Sequence, residues 1–433
     1  MSDVNQDQNR PDPFRGPWTD RVHFGDRLGA SRYAYRPGQI IAAATEATRG
    51  LVGELAAGAT VSDLGSSIHV IGVDDPLGLV DDLQMRGHRA HPNHVFFAHG
   101  ADDCGCGPPH PASGQGANPV YASPVYASPV YASPVYASPV YASPVGHSSA
   151  VPAPAGVSVS GLVHELHEVQ AGSPTVIVLD TGLAAPAFRP TAFEAPTPIH
   201  AASAADEDQP DENDDHQLDP AAGHGTFVAG VVDQVSPGCA IAVHRVLSTF
   251  GDGDEVAIAG CLNGLDLDDP THTLINLSFG GYVLEHPHLL ARAVRGLQRQ
   301  GAVVVASAGN DATCRPTYPA ALPDVVSVGA VGPGGPAPFT NYGSWVRACA
   351  PGVDLLSTFF RDFGSAGGGA GDPGRFDGWA LWSGTSFAAP VVVGALARTM
   401  RTSRCTAVEA VERVIDAPAV MRIPYLGTVV NVM

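Results

Sequence analysis

Three short stretches of the chain carry residue types that could perform nucleophilic chemistry together. "TVIVLDTG" ends an apolar run on Asp180, "GHGTFVAG" sets His224 beside two glycines at the start of a helical run, and "SGTSFAAPVVVGALA" puts Ser386 just ahead of another apolar helix. A serine hydroxyl is a poor nucleophile until a base takes its proton, and neutral histidine is the side chain suited to do so near pH 7. A buried carboxylate would fix the imidazole tautomer and stabilise the imidazolium, the role open to Asp180 at a strand end. At a helix N-terminus, backbone N–H groups face the negative charge that would develop beside Ser386. Gly225 and Gly384 allow the backbone to come close in so crowded a site.

Positioning three such groups needs a rigid frame. From about residue 161, apolar strand-like runs such as "TVIVLD", "TLINLS", "AVVVASAG" and "VVSVGAV" alternate with helical ones. Continuous apolar strands alternating with helices indicate an α/β architecture, a parallel sheet covered on both faces. Ahead of it, residues 30–100 read as a compact α+β unit. "GQIIAAA", "SSIHVIGV" and "HVFFA" form its strands and "PLGLVDDLQMRG" a short helix. Residues 1–29 are polar and proline-bearing and are expected to be a disordered arm. Residues 101–160 lose all periodicity and read as a linker.

The order Asp…His…Ser, each residue in its strand–loop–helix setting, resembles the subtilisin-like serine peptidases, over roughly residues 165–433. The resemblance implies a serine endopeptidase with Asp180, His224 and Ser386 as its catalytic triad. It also implies that Asn310, in "VVVASAGNDA", supplies the side-chain amide of an oxyanion hole, with the Ser386 N–H as second donor. Read from the residues alone, Asn310 could also cap a turn after Gly309, the lesser alternative beside a complete triad. By the same resemblance Ser278, Phe279 and Gly280 form the edge that pairs with an extended substrate, and the stretch ending in Ala308 and Gly309 forms a wall of the specificity pocket. Thr317 falls at the pocket base and implies a mid-sized pocket. Val391 stands after Pro390 where relatives often carry histidine, outside the triad. The N-terminal unit resembles the ferredoxin-like inhibitory propeptides of the same family. Its "HPNHVFFAHG" ending matches a tail that enters the substrate cleft, so the resemblance implies an intramolecular inhibitor.

Composition narrows the partners. The formal net charge is −20, and all 23 basic residues are arginine, so a nucleic-acid or anionic-membrane surface is not expected. The first residues lack the apolar core of a secretory signal, and no run reaches the ~18 apolar residues of a membrane span. Seven scattered cysteines fit reduced thiols in a cytoplasmic protein, export without a classical signal being the alternative. No cofactor or metal is assigned. The acidic run "DEDQPDENDD" (206–215) invites calcium but lacks ligand spacing and reads as a solvated loop. His88, His91, His94 and His99 are expected to be exposed around a helix-to-strand turn rather than to hold a metal or act as a pH switch. One short Cys104-x-Cys106 with His110 is a weak zinc signal, and Arg295 and Arg299 read as a solvated helix face.

The linker holds "PVYAS" five times without a substitution, at 119–143. Proline at every fifth residue forbids a helix interior or a central strand. In polyproline-like form the segment would reach roughly 78 Å, enough to cross a domain about 50 Å wide. A spacer that keeps the N-terminal unit at high effective concentration is the reading preferred here. The alternative is that the repeats are substrate, cut after Tyr121, Tyr126, Tyr131, Tyr136 or Tyr141. A different functional class is a partner-binding module whose peptidase acts once, on its own linker or on one dedicated protein or peptide.

Overall fold

Along Thr175–Asp180 every residue after the first is buried. Val176 and Val178 belong to one apolar cluster with Val243, Phe227 and Leu396. Ile177 and Leu179 belong to another with Leu262, Ile275 and Leu290. Successive side chains leave a strand on opposite faces, so this strand must be covered from both sides. It lies third from one end of a ten-stranded, mostly parallel sheet. On one side lie Ala240–Arg245 and then Ile199–Ala201; on the other follow Thr273–Leu277, Val303–Ser307, Val326–Gly332 and Ala348–Pro351. The chain enters in the middle and grows in both directions, leaving a crevice at the strands' C-terminal ends, where such sheets place their ligands. Asp180 ends this strand at that crevice.

This computed structural model describes residues 22–26, 32–56, 58–63, 68–98, 151–152, 169, 172–190, 193, 198–214, 218–284, 286–363 and 376–431. The repeats, His99, Cys104, Cys106 and His110 lie outside the described residues. So does the linker apart from Val151–Pro152, which pairs antiparallel with Ala380 and Leu381.

The helices covering the sheet are α3 (His224–Val235), α4 (Glu255–Gly264), α5 (His288–Gln300), α6 (Thr385–Ser403) and α7 (Ala407–Val414). Helix α3 is buried through its first ten residues and α6 through its first thirteen, so both lie inside the fold rather than upon it.

The N-terminal unit runs strand Arg32–Ala43, α1 (Glu46–Leu55), strands Thr60–Asp63 and Ile68–Gly72, α2 (Pro76–Met85), strand Ala90–Ala98. Its sheet is antiparallel, ordered Ala90–Ala98, Arg32–Ala43, Ile68–Gly72, Thr60–Asp63, the ferredoxin-like arrangement. Thr45 and Asp75 cap the two helices through their side chains. Two expectations need correction. His23–Asp26, within the span read as an arm, is a strand paired with Arg32–Tyr35. His91 and His94 are buried inside Ala90–Ala98, not exposed at a turn, because the other half of the protein covers this strand. Phe96 and Ala98 share the apolar cluster of Leu247, Ile258 and Phe279. The same strand joins its sheet to Asp252–Asp254 and Phe279–Gly280.

Candidate active site

Asp180 and His224 are fully buried and joined by a 2.7 Å contact between Asp180 Oδ1 and His224 Nδ1. An ionised carboxylate only accepts, so Nδ1 carries the proton, and in the neutral ring Nε2 then holds the lone pair. That Nε2 is buried with no hydrogen-bond partner, available to a substrate-side proton. The Thr181 amide also donates to Asp180 Oδ1, at 2.8 Å, holding the carboxylate from its own backbone. His224 opens α3 after Gly223, whose φ of 80° is in the left-handed region glycine tolerates. Close approach of the two loops dictates the next glycine: a Cβ on Gly225 would lie 2.3 Å from the Gly182 carbonyl oxygen.

Ser386 is the second residue of α6 and fully buried. The His224 ring packs 5.1 Å from that of Phe387, the next residue along, and edge-on to Trp382 at 5.3 Å. The Ser386 hydroxyl is turned to the Ser278 carbonyl, to which it donates at 2.8 Å, while the Ser278 hydroxyl donates back to the Ser386 carbonyl at 2.6 Å. A rotation about one side-chain bond redirects Oγ, and resting-state catalytic contacts are often unformed.

Asn310 follows the Val303–Ser307 strand, and its Oδ1 accepts from both the amide and the hydroxyl of Thr385, each at 2.9 Å. Because the Thr385 amide can only donate, the side-chain oxygen is assigned to that side and the NH₂ group is directed away. Thr385 also accepts from the Gly309 amide at 3.0 Å, tying the Asn310 loop to the start of α6. The Thr317 hydroxyl donates to the Ala308 carbonyl at 2.7 Å, and its methyl would be 3.4 Å from a Cβ on Gly309. The three candidate pocket residues are therefore in one place. Ser278 faces Ser386, whereas Phe279 and Gly280 pair antiparallel with Ala98 and Phe97.

Sequence reasoning missed Asp208. It is not part of a solvated loop: it is fully buried, and its Oδ2 accepts from the Thr181 hydroxyl at 2.7 Å and the Gly223 amide at 2.8 Å. Thr181 follows Asp180 and Gly223 precedes His224, so one carboxylate braces both loops. Burial pushes its carboxyl up to about 7, against the opposing pull of those hydrogen bonds and of Arg245. Elsewhere in the acidic run, Asp206 accepts from the Arg245 amide at 2.7 Å and Glu212 pairs with the Arg245 guanidinium at 2.9 Å. No spacing rule separates Asp208 from its acidic neighbours; only the parallel pairing of Glu207–Asp208 with Leu183–Ala184 turns it inward.

A sequence model of the subtilase family matches residues 172–419, more than half of the chain and all of the site just described. The chain belongs to the subtilase family. Among relatives of this subtilase, the thermophilic serine proteinase of Bacillus sp. (strain AK1) is 34% identical over 182 residues, 40% of this chain and 41% of the relative. Thermitase of Thermoactinomyces vulgaris is 33% identical over 184 residues, 40% of this chain and 59% of its own length. The matched segment thus spans about half of these relatives. A crystal structure of a cold adapted subtilisin-like serine proteinase aligns with 60% of this chain and 88% of its own, at 24% identity and a TM-score of 0.46.

Proposed function

We propose that this subtilase is a serine endopeptidase that hydrolyses peptide bonds of protein or peptide substrates through an acyl-enzyme on Ser386, held latent by residues 30–100. His224 Nε2 takes the Ser386 proton as Oγ leaves Ser278 and attacks the scissile carbonyl. Asp180 stabilises the imidazolium, and the same proton then goes to the leaving amine. The Asn310 NH₂ group and the Ser386 amide receive the oxyanion, inside an apolar shell that strengthens each dipole. Free thiols at Cys239, Cys261, Cys314, Cys349 and Cys405 support work in a reducing, cytoplasmic setting.

The observation that carries latency is the placement of Ala90–Ala98. Its C-terminal end is the middle strand between Asp252–Asp254 and Phe279–Gly280, antiparallel to both. An extended substrate adding to this edge would need the same main-chain groups. The Ala98 amide, for instance, already donates to the Gly251 carbonyl at 2.9 Å. Ala98→Pro removes that donor. At about 1 kcal/mol for one net hydrogen bond it should raise turnover of a peptide amide by the full-length chain roughly fivefold, by opening the cleft more often. Unchanged or lower turnover with an intact fold would defeat the latency reading. Ser386→Ala should abolish both turnover and fluorophosphonate labelling; labelling that persists would remove the nucleophile assignment.

A further inference from the structure

We propose that His91, His94 and Glu255 form a transition-metal site of zinc type, which staples the N-terminal unit to the peptidase half. Two ligands come from strand Ala90–Ala98 and the third from the first turn of α4. One nitrogen of each imidazole and one carboxylate oxygen all lie within 4.8 Å of one another, and all three residues are buried. Residues three apart on a regular strand would face opposite ways. Here the pairing with Arg32–Ala43 slips between Tyr35↔His94 and Ile40↔Pro92, and that irregularity brings both rings to Glu255.

The spacing suits an ion better than a direct bond. His91 Nδ1 and His94 Nδ1 lie 3.6 and 3.4 Å from the same Glu255 Oε2. Charge-assisted hydrogen bonds settle near 2.7–2.9 Å. Ligands about 2.0–2.1 Å from a tetrahedral ion sit about 3.3 Å apart. The two rings are stacked, 9° between planes with centroids 5.1 Å apart, so rotation of one ring about its side-chain bonds is what brings both in-plane lone pairs onto one ion. Glu255 is held for this role by its other oxygen, which accepts from the Leu289 and Leu290 amides at 3.0 and 3.1 Å.

Two imidazoles and one carboxylate select a borderline ion such as Zn²⁺ or Co²⁺ over Ca²⁺ or Mg²⁺. Exposed His288, its ring 5.9 Å from that of His91, stands at the rim of the site. In the metal-free tautomers each Nδ1 holds the proton: His91 Nδ1 faces the Pro92 carbonyl at 2.9 Å, and His94 Nε2 accepts from the Leu284 amide at 3.2 Å. Ligation at Nδ1 moves each proton to Nε2 and gives up these two neutral contacts for metal–nitrogen bonds. Since protonated imidazole cannot ligate, affinity falls as the solution is acidified.

The site itself does not depend on the proposed latency; only its effect on turnover rests on that reading. Full-length Ser386→Ala protein, which cannot cut itself, is titrated with Co²⁺ and followed by visible d–d absorption, circular dichroism and thermal melting. One equivalent should give a tetrahedral spectrum, be displaced by Zn²⁺ and raise Tm. Glu255→Gln keeps an oxygen for the Leu289 and Leu290 amides, so it should fold normally yet bind Co²⁺ roughly tenfold or more weakly. His91→Ala should behave likewise, and His272→Ala, at a half-buried histidine elsewhere, should leave binding unchanged. Absence of stoichiometric binding, or undiminished affinity in both ligand variants, overturns the site. With Ser386 intact, Zn²⁺ should lower turnover and a chelator restore it, in wild type but not in Glu255→Gln. Stoichiometric binding without any effect on turnover upholds the site and removes latency instead.

Discussion

Replacing Asn310 separates two roles that its position allows. Its Oδ1 takes two hydrogen bonds from Thr385, so alanine removes both that tie and the NH₂ donor. Two net hydrogen bonds at about 0.5–1.5 kcal/mol each put the loss of stability at roughly 1–3 kcal/mol. In a subtilisin, loss of this type of donor lowers kcat by about 10²–10³. Aspartate in the same place keeps an acceptor for the Thr385 amide and hydroxyl but turns a bare oxygen, negatively charged, toward the developing oxyanion. Asn310→Ala is therefore expected to lose about 10²–10³ in kcat with KM nearly unchanged, and to melt lower. Asn310→Asp should keep the wild-type Tm yet turn over no faster than the alanine variant. The assay is steady-state hydrolysis of a peptide amide with active sites counted by fluorophosphonate, beside thermal melts. If aspartate restores kcat to within a few-fold of wild type, Asn310 only ties its loop to α6 and the oxyanion assignment is wrong.

Asp208 predicts a pH dependence of stability. Its carboxyl titrates at about 7 in the fold against 3.8 without it, so between those values the native state binds the extra proton and ionisation above them disfavours folding. Tm should therefore fall as pH rises from about 4 to about 7 and level off above; Asp208→Asn should flatten that slope, and an unchanged slope would refute the assignment. Thr317→Val deletes the bond to the Ala308 carbonyl while keeping the volume, so KM for a peptide should rise by less than about tenfold with kcat held, whereas a kcat-only loss would place Thr317 outside the pocket. If the repeats at 119–143 are a spacer, a scrambled proline-rich segment of equal length should preserve turnover and latency; a ladder of fragments five residues apart, absent from Ser386→Ala, would show that they are substrate.

Much of the architecture is written in periodicity. Thr175–Asp180 is apolar at both odd and even positions, and only a strand covered on both faces tolerates that, so the doubly covered sheet could be read directly. The candidate triad could be read because each member sits at an element boundary with glycines around it, a local signature. The partners that orient these groups leave no such mark. Thr385 and Asp208 are ordinary residues in sequence, and their contacts span 75 residues for Asn310 and Thr385, and 27 and 15 for Asp208 with Thr181 and Gly223.

By itself, then, the sequence carried the candidate triad, the family and the layering of the C-terminal half, since all three rest on residue identity and short-range period. Tertiary structure decided which side of the chain is water. Nothing in "AHPNHV" marks His91 and His94 as interior, because burial depends on what packs across a strand. Here that includes Glu255, 161 residues beyond His94, whose Oε2 lies 3.4 Å from His94 Nδ1. Likewise, "HVFFA" is visible as a strand, yet nothing within it says that its free edge will be filled by Phe279–Gly280 of the catalytic half. Hydrogen-bonding edges are identical from one strand to the next, so their partners are settled by the packing of Phe96 and Ala98 into the other half's apolar cluster.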